Sequence, residues 1–556
     1  MNTIENSEDL VNPEQDKGFI IMSANKVQGN SGLYQVSQYV YSGASDQLSP
    51  HSVSIGVNSN GKEFKVPTFI SGDGKIRCRV EGPQSAWKSI TDSAGIHFTF
   101  EKHWEFSTIS VSKSQGSRIL KSSDGAPYLW LGDTVWFGLT DRITDAEWQS
   151  VMGKRKKQGF NVVQVVSGLL PEANFGEKST LLDGVTSWTL DKSSLQVKWW
   201  DAADTRVIQA VKSGLNPALV GAWSYYILQF GAEKLKTHWT EMVARWGAFP
   251  VFWCVVGEIG LMEYENLFAE NSQEEARRIQ GLWKEVITHV RELDPWERPI
   301  TVHPCPAFNE SSFEALQGDS EIDFIWLQTG HADINVVPST LKALDKALHD
   351  SRLPVINSEV CYEGIAGGSP ALLQRYLFWT HLLHGAAGHT YGAQGLWAFH
   401  DDETSPGAMW GWIPWQQALE LDGSRQLGMA AEFLRSINWD GFTPSPDSLN
   451  LTGNPESPFR PWAAKSGENL VVYFPAICMA PASIGISVEL SKVKFQNLLS
   501  NQRYHLKIID PRTGKLTRDE DITTDQNGEW LFKGSNFVSP LPTMEDWIVN
   551  VKIANG

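Results

Sequence analysis

Short apolar runs recur along the whole chain, and their character changes twice. Between residues 18 and 117 they are brief and often alternate with polar positions: GLYQVSQYVYSG (32–43), HSVSIGV (51–57), EFKVPTFI (63–70), KIRCRVEG (75–82), IHFTFEKHW (96–104) and FSTISVS (106–112). Turn clusters such as SNGK and SGDGK separate them. Many short strands with Gly/Asn/Asp punctuation predict a β-sandwich. From 118 to 438 the runs become nearly continuous: PYLWLGD (127–133), NVVQVVSG (161–168), NPALVGAW (216–223), PVFWCVVGE (250–258), PITVHPCP (299–306), DFIWLQTGH (323–331), PVINSEVCYEG (354–364) and GHTYGAQGLWAF (388–399). Helical stretches lie between them, among them TDAEWQSVMGKRKKQG (144–159) and PALLQRYLFWTHLLHG (370–385). Strands without alternation are buried on both faces, which is the mark of a parallel sheet. Eight such units predict a closed (β/α)8 barrel of the TIM type. The open doubly wound sheet is the alternative, but no GxGxxG follows the first run and no P-loop occurs. From 439 to 556 β signals return in NLVVYFPA, SVELS, YHLKIIDPRTGKL, GEWLFKG and DWIVNVKI, with DPRTGK as a hairpin turn. The fold class expected is therefore α/β: a barrel over 118–438 flanked by N-terminal (18–117) and C-terminal (439–556) β-sandwich domains. Residues 1–17 are expected to be disordered or extended.

Composition narrows the function. The 556 residues carry a formal charge of −17, which disfavours a general phosphate-binding surface and hence nucleic acid. No apolar run reaches the length of a membrane span. The polar, acidic start has no basic n-region or apolar h-region, so the sequence as it stands predicts a cytoplasmic protein, or a secreted or periplasmic one if a signal has been removed. Five scattered cysteines (Cys78, Cys254, Cys305, Cys361, Cys478) offer neither a disulfide framework nor a zinc pattern. Trp is the unusual count, 24 against 12 Tyr, which suits either a large core or a surface of flat rings for sugars.

In a barrel of this kind, chemistry sits at the C-terminal strand ends. Glu258 closes the fourth run and Glu359 the seventh, so the two face each other across the expected mouth. Glycoside hydrolysis needs such a pair, one carboxyl protonated to give a proton to the leaving oxygen and one ionised. A separation of about 5–5.5 Å gives retention and about 6.5–9.5 Å gives inversion. Other strand-end candidates are Asp133, Gln164, His303, Gln328, His331, Tyr362, Glu363, His389, Tyr391 and Trp397. Asp133 competes with a helix-capping role. Glu363 could equally support its neighbours or touch a hydroxyl.

The motifs WLGDTVW (130–136), KKQGFNVVQV (156–165), FWCVVGE (252–258), LDPWERPITVHP (293–304), QTGH (328–331), NSEVCYEG (357–364) and GHTYGAQGLWAF (388–399) resemble the apiosidase-like glycoside hydrolases. That group lies within the (β/α)8 retaining glycosidases. The resemblance implies Glu258 as general acid/base and Glu359 as nucleophile. It also implies that Asp133, Trp136, Gln328, His331, Tyr362, His389, Tyr391 and Trp397 stand near the sugar. Many of the broader group have Asn just before the acid/base, where its amide meets the sugar 2-hydroxyl. Here that residue is Gly257, which the apiosidase-like set tolerates. The same resemblance implies flanking β-domains on both sides.

The aromatic set adds detail. Trp410, Trp412 and Trp415 fall in MWGWIPWQQ after the eighth run, split by Gly and Pro, which fits a subsite wall better than one helix face. Trp188, Trp199 and Trp200 follow the second run, with core packing as the alternative. Asp401, Asp402 and Glu403 read as a solvated loop rather than a metal site, and Glu172 and Glu177 are left without a role. The expectation is thus a retaining, exo-acting glycosidase on a plant or microbial polysaccharide or oligosaccharide, with no cofactor or metal and no assigned oligomeric state. Long connections after runs two and eight suggest the exo action. The competing expectations are a non-catalytic carbohydrate-binding barrel, and a transglycosidase or lyase on the same frame.

Overall fold

The protein is represented by a computed structural model that describes residues 33–44, 48, 49, 51–112, 116–318, 321–450, 457–476, 493–532 and 545–554. The expectations for 1–17, for SVELS and for Cys478 lie outside these residues.

All eight continuous runs form strands of one parallel sheet. Strands one to eight are Trp130–Thr134, Val162–Val166, Asn216–Val220, Phe252–Cys254, Ile300–Thr301, Ile325–Gln328, Val355–Glu359 and Gly388–Tyr391. Their order is five-four-three-two-one-eight-seven-six, which leaves a seam between five and six. The Asp323 amide donates across that seam to the Ile300 carbonyl (2.8 Å), and the Thr301 hydroxyl to the Phe324 carbonyl (2.8 Å). Helices Asp145–Lys157, Val197–Lys212, Ala232–Trp246, Ser272–Leu293, Val337–Asp350, Ala371–Leu383 and Asp422–Ser436 form the outer ring. The first of these is started by a Thr144/Glu147 capping box and ended by four basic residues, as capping and the helix dipole favour. Strand five departs from the expected βα repeat: only the one-turn helix Ser312–Ala315 follows it.

The barrel interior is aromatic. Trp130 packs against Phe252 (4.7 Å), Phe324 (5.9 Å) and Trp326 (5.9 Å), residues of strands one, four and six and the entry to six. Eighteen of the 24 tryptophans are buried, ten of them among the largest fully buried side chains, so most of the unusual Trp content is interior. Trp188, Trp199 and Trp200 belong to that core. Trp199 and Trp200 meet edge to face, and Trp200 and Trp188 close on His238.

Alternation along a strand decides which side chains enter the barrel. On strand one Trp130 points in, so Asp133 points out toward the helices. There it accepts from Arg155 Nε at 2.5 Å, with both side chains 1% exposed. The Arg155 guanidinium also lies over the Tyr391 ring, and the Tyr391 hydroxyl donates to Glu363 at 2.6 Å. Glu363 additionally accepts from the Gly423 amide. His389, fully buried, lies beside Phe378 and His381. Asp133, Glu363, His389 and Tyr391 therefore occupy a layer behind strands one, seven and eight, not the mouth. The strand pleat corrects the placement of Asp133, His389 and Tyr391 near the sugar. Glu363, past the end of strand seven, takes the supporting role that the sequence leaves open.

Antiparallel sheets flank the barrel. The N-terminal part has a four-stranded and a three-stranded sheet around Tyr39, Val66, Cys78, Val80 and Ile90. One of its strands, Trp87–Thr91, had no clear sequence signal. FSTISVS supplies Val111–Ser112 to a separate small sheet with Leu120–Ser122 and Pro127–Tyr128. The C-terminal part has a six-stranded and a three-stranded sheet around Leu470, Val472, Leu506 and Val549. DPRTGK turns between the paired strands Arg503–Ile509 and Leu516–Thr523, as expected. Buried arginines join these sheets to the barrel. Arg79 grips Asp204 with two bonds of 2.6 Å, and Arg375 grips Asp546 with two of 2.7 Å.

The Asp133–Arg155 pair gives a stability prediction. Arg155→Met strands a buried carboxylate and should cost about 3–5 kcal/mol in denaturant unfolding. Adding Asp133→Leu should recover much of that loss, because no charge then remains buried. Equal or additive losses in the double variant would contradict the pairing.

Candidate active site

Strand four leaves its ladder at Cys254, but the chain keeps parallel bonds through Val255 and Gly257 to Glu258. Glu258 stands at φ 44°, in the left-handed region, at a cost of roughly 1–2 kcal/mol for a non-glycine residue. The surroundings hold it there. Trp223 Nε1 donates to Oε2 at 3.0 Å, the Tyr264 hydroxyl to the same oxygen at 3.1 Å, and Gln328 Nε2 to Oε1 at 3.0 Å. Gly257 explains how the indole arrives. A Cβ at 257 would stand 2.2 Å from the Trp223 ring, so no side chain fits there. The missing Asn is thus a consequence of an indole occupying its space.

Glu359 ends strand seven between two imidazoles. His331 Nε2 lies 3.0 Å from Oε1, and the Tyr362 amide donates to His331 Nδ1 at 3.3 Å. That acceptor role places the proton of a neutral His331 on Nε2, facing the carboxylate. His303 Nε2 is 3.1 Å from Oε2, at ion-pair distance but not aligned as a hydrogen bond, while its Nδ1 faces the Pro304 carbonyl.

The two carboxyls titrate apart. Burial raises Glu258, and the Glu359 charge raises it further, against the smaller opposing effects of His303, Gln328 and Trp223. Burial also acts to raise Glu359, but His303 and His331 together outweigh it and bring it down to about 2. One is biased toward the protonated form and the other is ionised. Environments that push two carboxyls apart assign acid and base roles.

The rest of the mouth is aromatic. Trp136 Nε1 donates to the Tyr362 hydroxyl at 3.2 Å, and its ring meets Trp223 and His303 edge to face. Tyr362 also stacks obliquely on His331 and faces Trp397. Gln164 lies inside the barrel and donates to the Ser358 carbonyl at 3.1 Å, which steadies the strand carrying Glu359. Of the sequence candidates, the structure gathers Glu258, Glu359, Trp136, His303, Gln328, His331, Tyr362 and Trp397 in one mouth, with Gln164 beneath. Trp410 and Trp412 stand at its rim, 50% and 44% exposed. Trp415 is instead buried against Phe399. Asp401, Asp402 and Glu403 are exposed, and Glu177 lies in a surface turn with Asn174.

Sequence reasoning missed Trp223 and Tyr264 here and gave Glu172 no role. Trp223 closes the third run, so the strand-end rule could have found it. Tyr264 and Glu172 sit inside connections, where no periodicity marks a side chain. Glu172 follows strand two, and Trp410 Nε1 donates to it at 3.3 Å.

The profile of the family described as "Apiosidase-like, catalytic domain" matches residues 114–440. A search of curated proteins gives no match. Among solved structures, one titled "Glycoside hydrolase" is 19% identical, with TM-score 0.61 over 80% of this chain and 97% of its own. A glycoside hydrolase family 5 structure from Bacteroides vulgatus ATCC 8482 is 19% identical, with TM-score 0.60 over 80% and 93%. A putative glycoside hydrolase from the same organism is 15% identical, with TM-score 0.59 over 95% and 96%. These likenesses concern the fold. The family match spans more than half the chain, and on it the chain belongs to the apiosidase-like family and its barrel is a glycosidase catalytic domain.

Proposed function

We propose that the protein is a retaining, exo-acting glycoside hydrolase of plant or microbial glycans, with Glu258 as acid/base and Glu359 as nucleophile. The observation that carries this is the opposite bias of two strand-end carboxyls in one mouth. Glu359, ionised between His303 and His331, attacks the anomeric carbon. Glu258 gives its proton to the leaving oxygen as that bond breaks. A glycosyl ester on Glu359 results. Glu258, now a carboxylate, takes a proton from water, whose oxygen attacks the same carbon and frees Glu359. Configuration is inverted twice and so retained.

Two features support a carbohydrate ligand at this face. Among the described residues of 118–438, the exposed large apolar side chains all stand in connections after barrel strands: Leu190, Leu228, Tyr264, Phe268, Met409, Trp410 and Trp412. An apolar rim at the mouth is where a ligand surface belongs. Flat indoles can lie against the C–H face of a sugar ring. The exo action rests on the connections after strands two and eight, which meet through Trp410 and Glu172 and narrow one side of the mouth.

Two predictions follow from this chemistry. On aryl glycosides, furanosides included, Glu258→Gln should slow cleavage of a poor leaving group by about 10²–10⁴-fold, and much less that of a dinitrophenyl leaving group. Glu359→Gln should abolish both. Wild-type turnover in either variant would remove the assignment, and NMR of the first-formed anomer checks retention.

The pH profile has a determined sign. The active free enzyme needs Glu359 ionised and Glu258 protonated. Activity should therefore fall as pH drops through the depressed value of Glu359, about 2, and fall as pH rises through the elevated value of Glu258. In kcat/KM the alkaline limb should lie above the ordinary glutamate range and vanish in Glu258→Gln. An alkaline limb unchanged in that variant would assign it to another group.

A further inference from the structure

Glu172 is the third carboxyl of the mouth, and the mechanism above leaves it unused. Its Oε1 accepts from Trp410 Nε1, while its Oε2 is buried and has no hydrogen-bond partner among the described residues. A glycine lets the connection after strand eight pack closely against Oε2 and the Trp397 ring. A Cβ on Gly407 would stand 1.9 Å from the Trp397 ring and 3.1 Å from that oxygen. Connections after strands two and eight thus converge on one carboxylate oxygen flanked by Trp410, half of whose surface is open. Gln328 adds an independent sign. It is 4% exposed, its amide nitrogen is fixed on Glu258, and its Oε1 is likewise unpartnered.

Gln328 Oε1 is an acceptor, and so is Glu172 Oε2 in the ionised form. A buried acceptor without a donor costs about 1–3 kcal/mol, which a ligand rich in O–H groups recovers on binding. A negatively charged sugar does not suit the place, because Glu258 and Glu359 already act on Glu172. Burial first and the Glu258 charge second push it up to about 7.

We propose that Glu172 is a substrate-binding residue that accepts a hydrogen bond from a hydroxyl of a neutral sugar whose ring lies against Trp410. It selects glycosides that carry a donor at that position. The proposal rests on the reading of this mouth as a glycosidase site. Glu172 takes no part in bond breaking, so its removal acts on binding more than on the chemical step.

The test uses the full chain and the neutral aryl glycoside that the wild type cleaves fastest, together with its monodeoxy analogues and the matching uronide. Glu172→Ala should raise KM at least tenfold and change kcat less than threefold. Glu172→Gln, which keeps an acceptor oxygen and the same shape, should restore most of the loss. One monodeoxy glycoside should be cleaved equally by wild type and Glu172→Ala, because it lacks the hydroxyl that the carboxylate holds. Unchanged KM in Glu172→Ala would overturn the proposal, as would equal discrimination against every deoxy analogue by wild type and variant. Preference of the wild type for the uronide would overturn the neutral-sugar assignment. If Glu172→Ala does not fold, Glu172→Gln against the deoxy series decides, with loss of one hydroxyl's contribution expected in part. A failure of the underlying reading looks different: the wild type cleaves no glycoside, or Glu359→Gln stays active.

Discussion

The pleat of a parallel strand sends alternate side chains to opposite faces, and in a closed barrel only one face reaches the mouth. That constraint, and one register shift that breaks it, decide which polar strand-end residues meet at the mouth. Trp130 fixes the inward face of strand one, and Asp133 is thereby committed to Arg155 outside. On strand seven Ile356 pairs with the inward Trp326, so alternation alone would turn Glu359 outward with Asn357. A register shift that sets Gln328 opposite Glu359 brings it back into the mouth, where Gln164 meets the strand from across the interior. The same alternation that builds the core sorts the polar strand-end residues into a reactive set and a structural set. The structural set is then consumed behind the wall, where Arg155, Tyr391 and Glu363 satisfy one another.

The aromatic core and the reactive mouth are continuous. Trp326 touches His303, His303 touches Trp136 and Trp223, and Trp223 donates to Glu258. Close packing fixes these rings, and through them the two carboxyls. Rigid support matters because Glu258 is held in an unfavourable backbone region and Glu359 is buried as an anion. Both states persist only where neighbours outweigh the cost. The buried arginine contacts tie helices of the same scaffold to the flanking sheets.

Much of this was legible in the sequence. Each of the eight continuous runs became a barrel strand, because burial on both faces leaves an unmistakable pattern. The two glutamates were legible because they interrupt apolar runs at their ends. What the pattern does not carry is the direction of a side chain once a run ends. Asp133 and His389 lie in the same runs as true mouth residues, and a shift of one position turns them outward. Tryptophan misled in the other direction: Trp415, grouped with Trp410 and Trp412 as a subsite wall, is buried against Phe399, while Trp188, Trp199 and Trp200 fill the core, their packing alternative. Glu172 could be seen after run two but given no role, because its partner comes from a connection more than two hundred residues away.

Gly257 shows why a departure from a motif has to be read in three dimensions. By sequence it is a lost amide next to the acid/base. In the structure its lack of a side chain admits Trp223, which donates to Glu258 from the other side. An indole N–H is a donor only, so it favours the carboxylate form and tempers the elevation that burial produces. A carboxyl left to burial alone would hold its proton too firmly to surrender it to a leaving oxygen. One that is too well solvated would have no proton to give. By making room for the indole, the glycine therefore helps set the proton affinity of Glu258, the acid/base of the proposed mechanism.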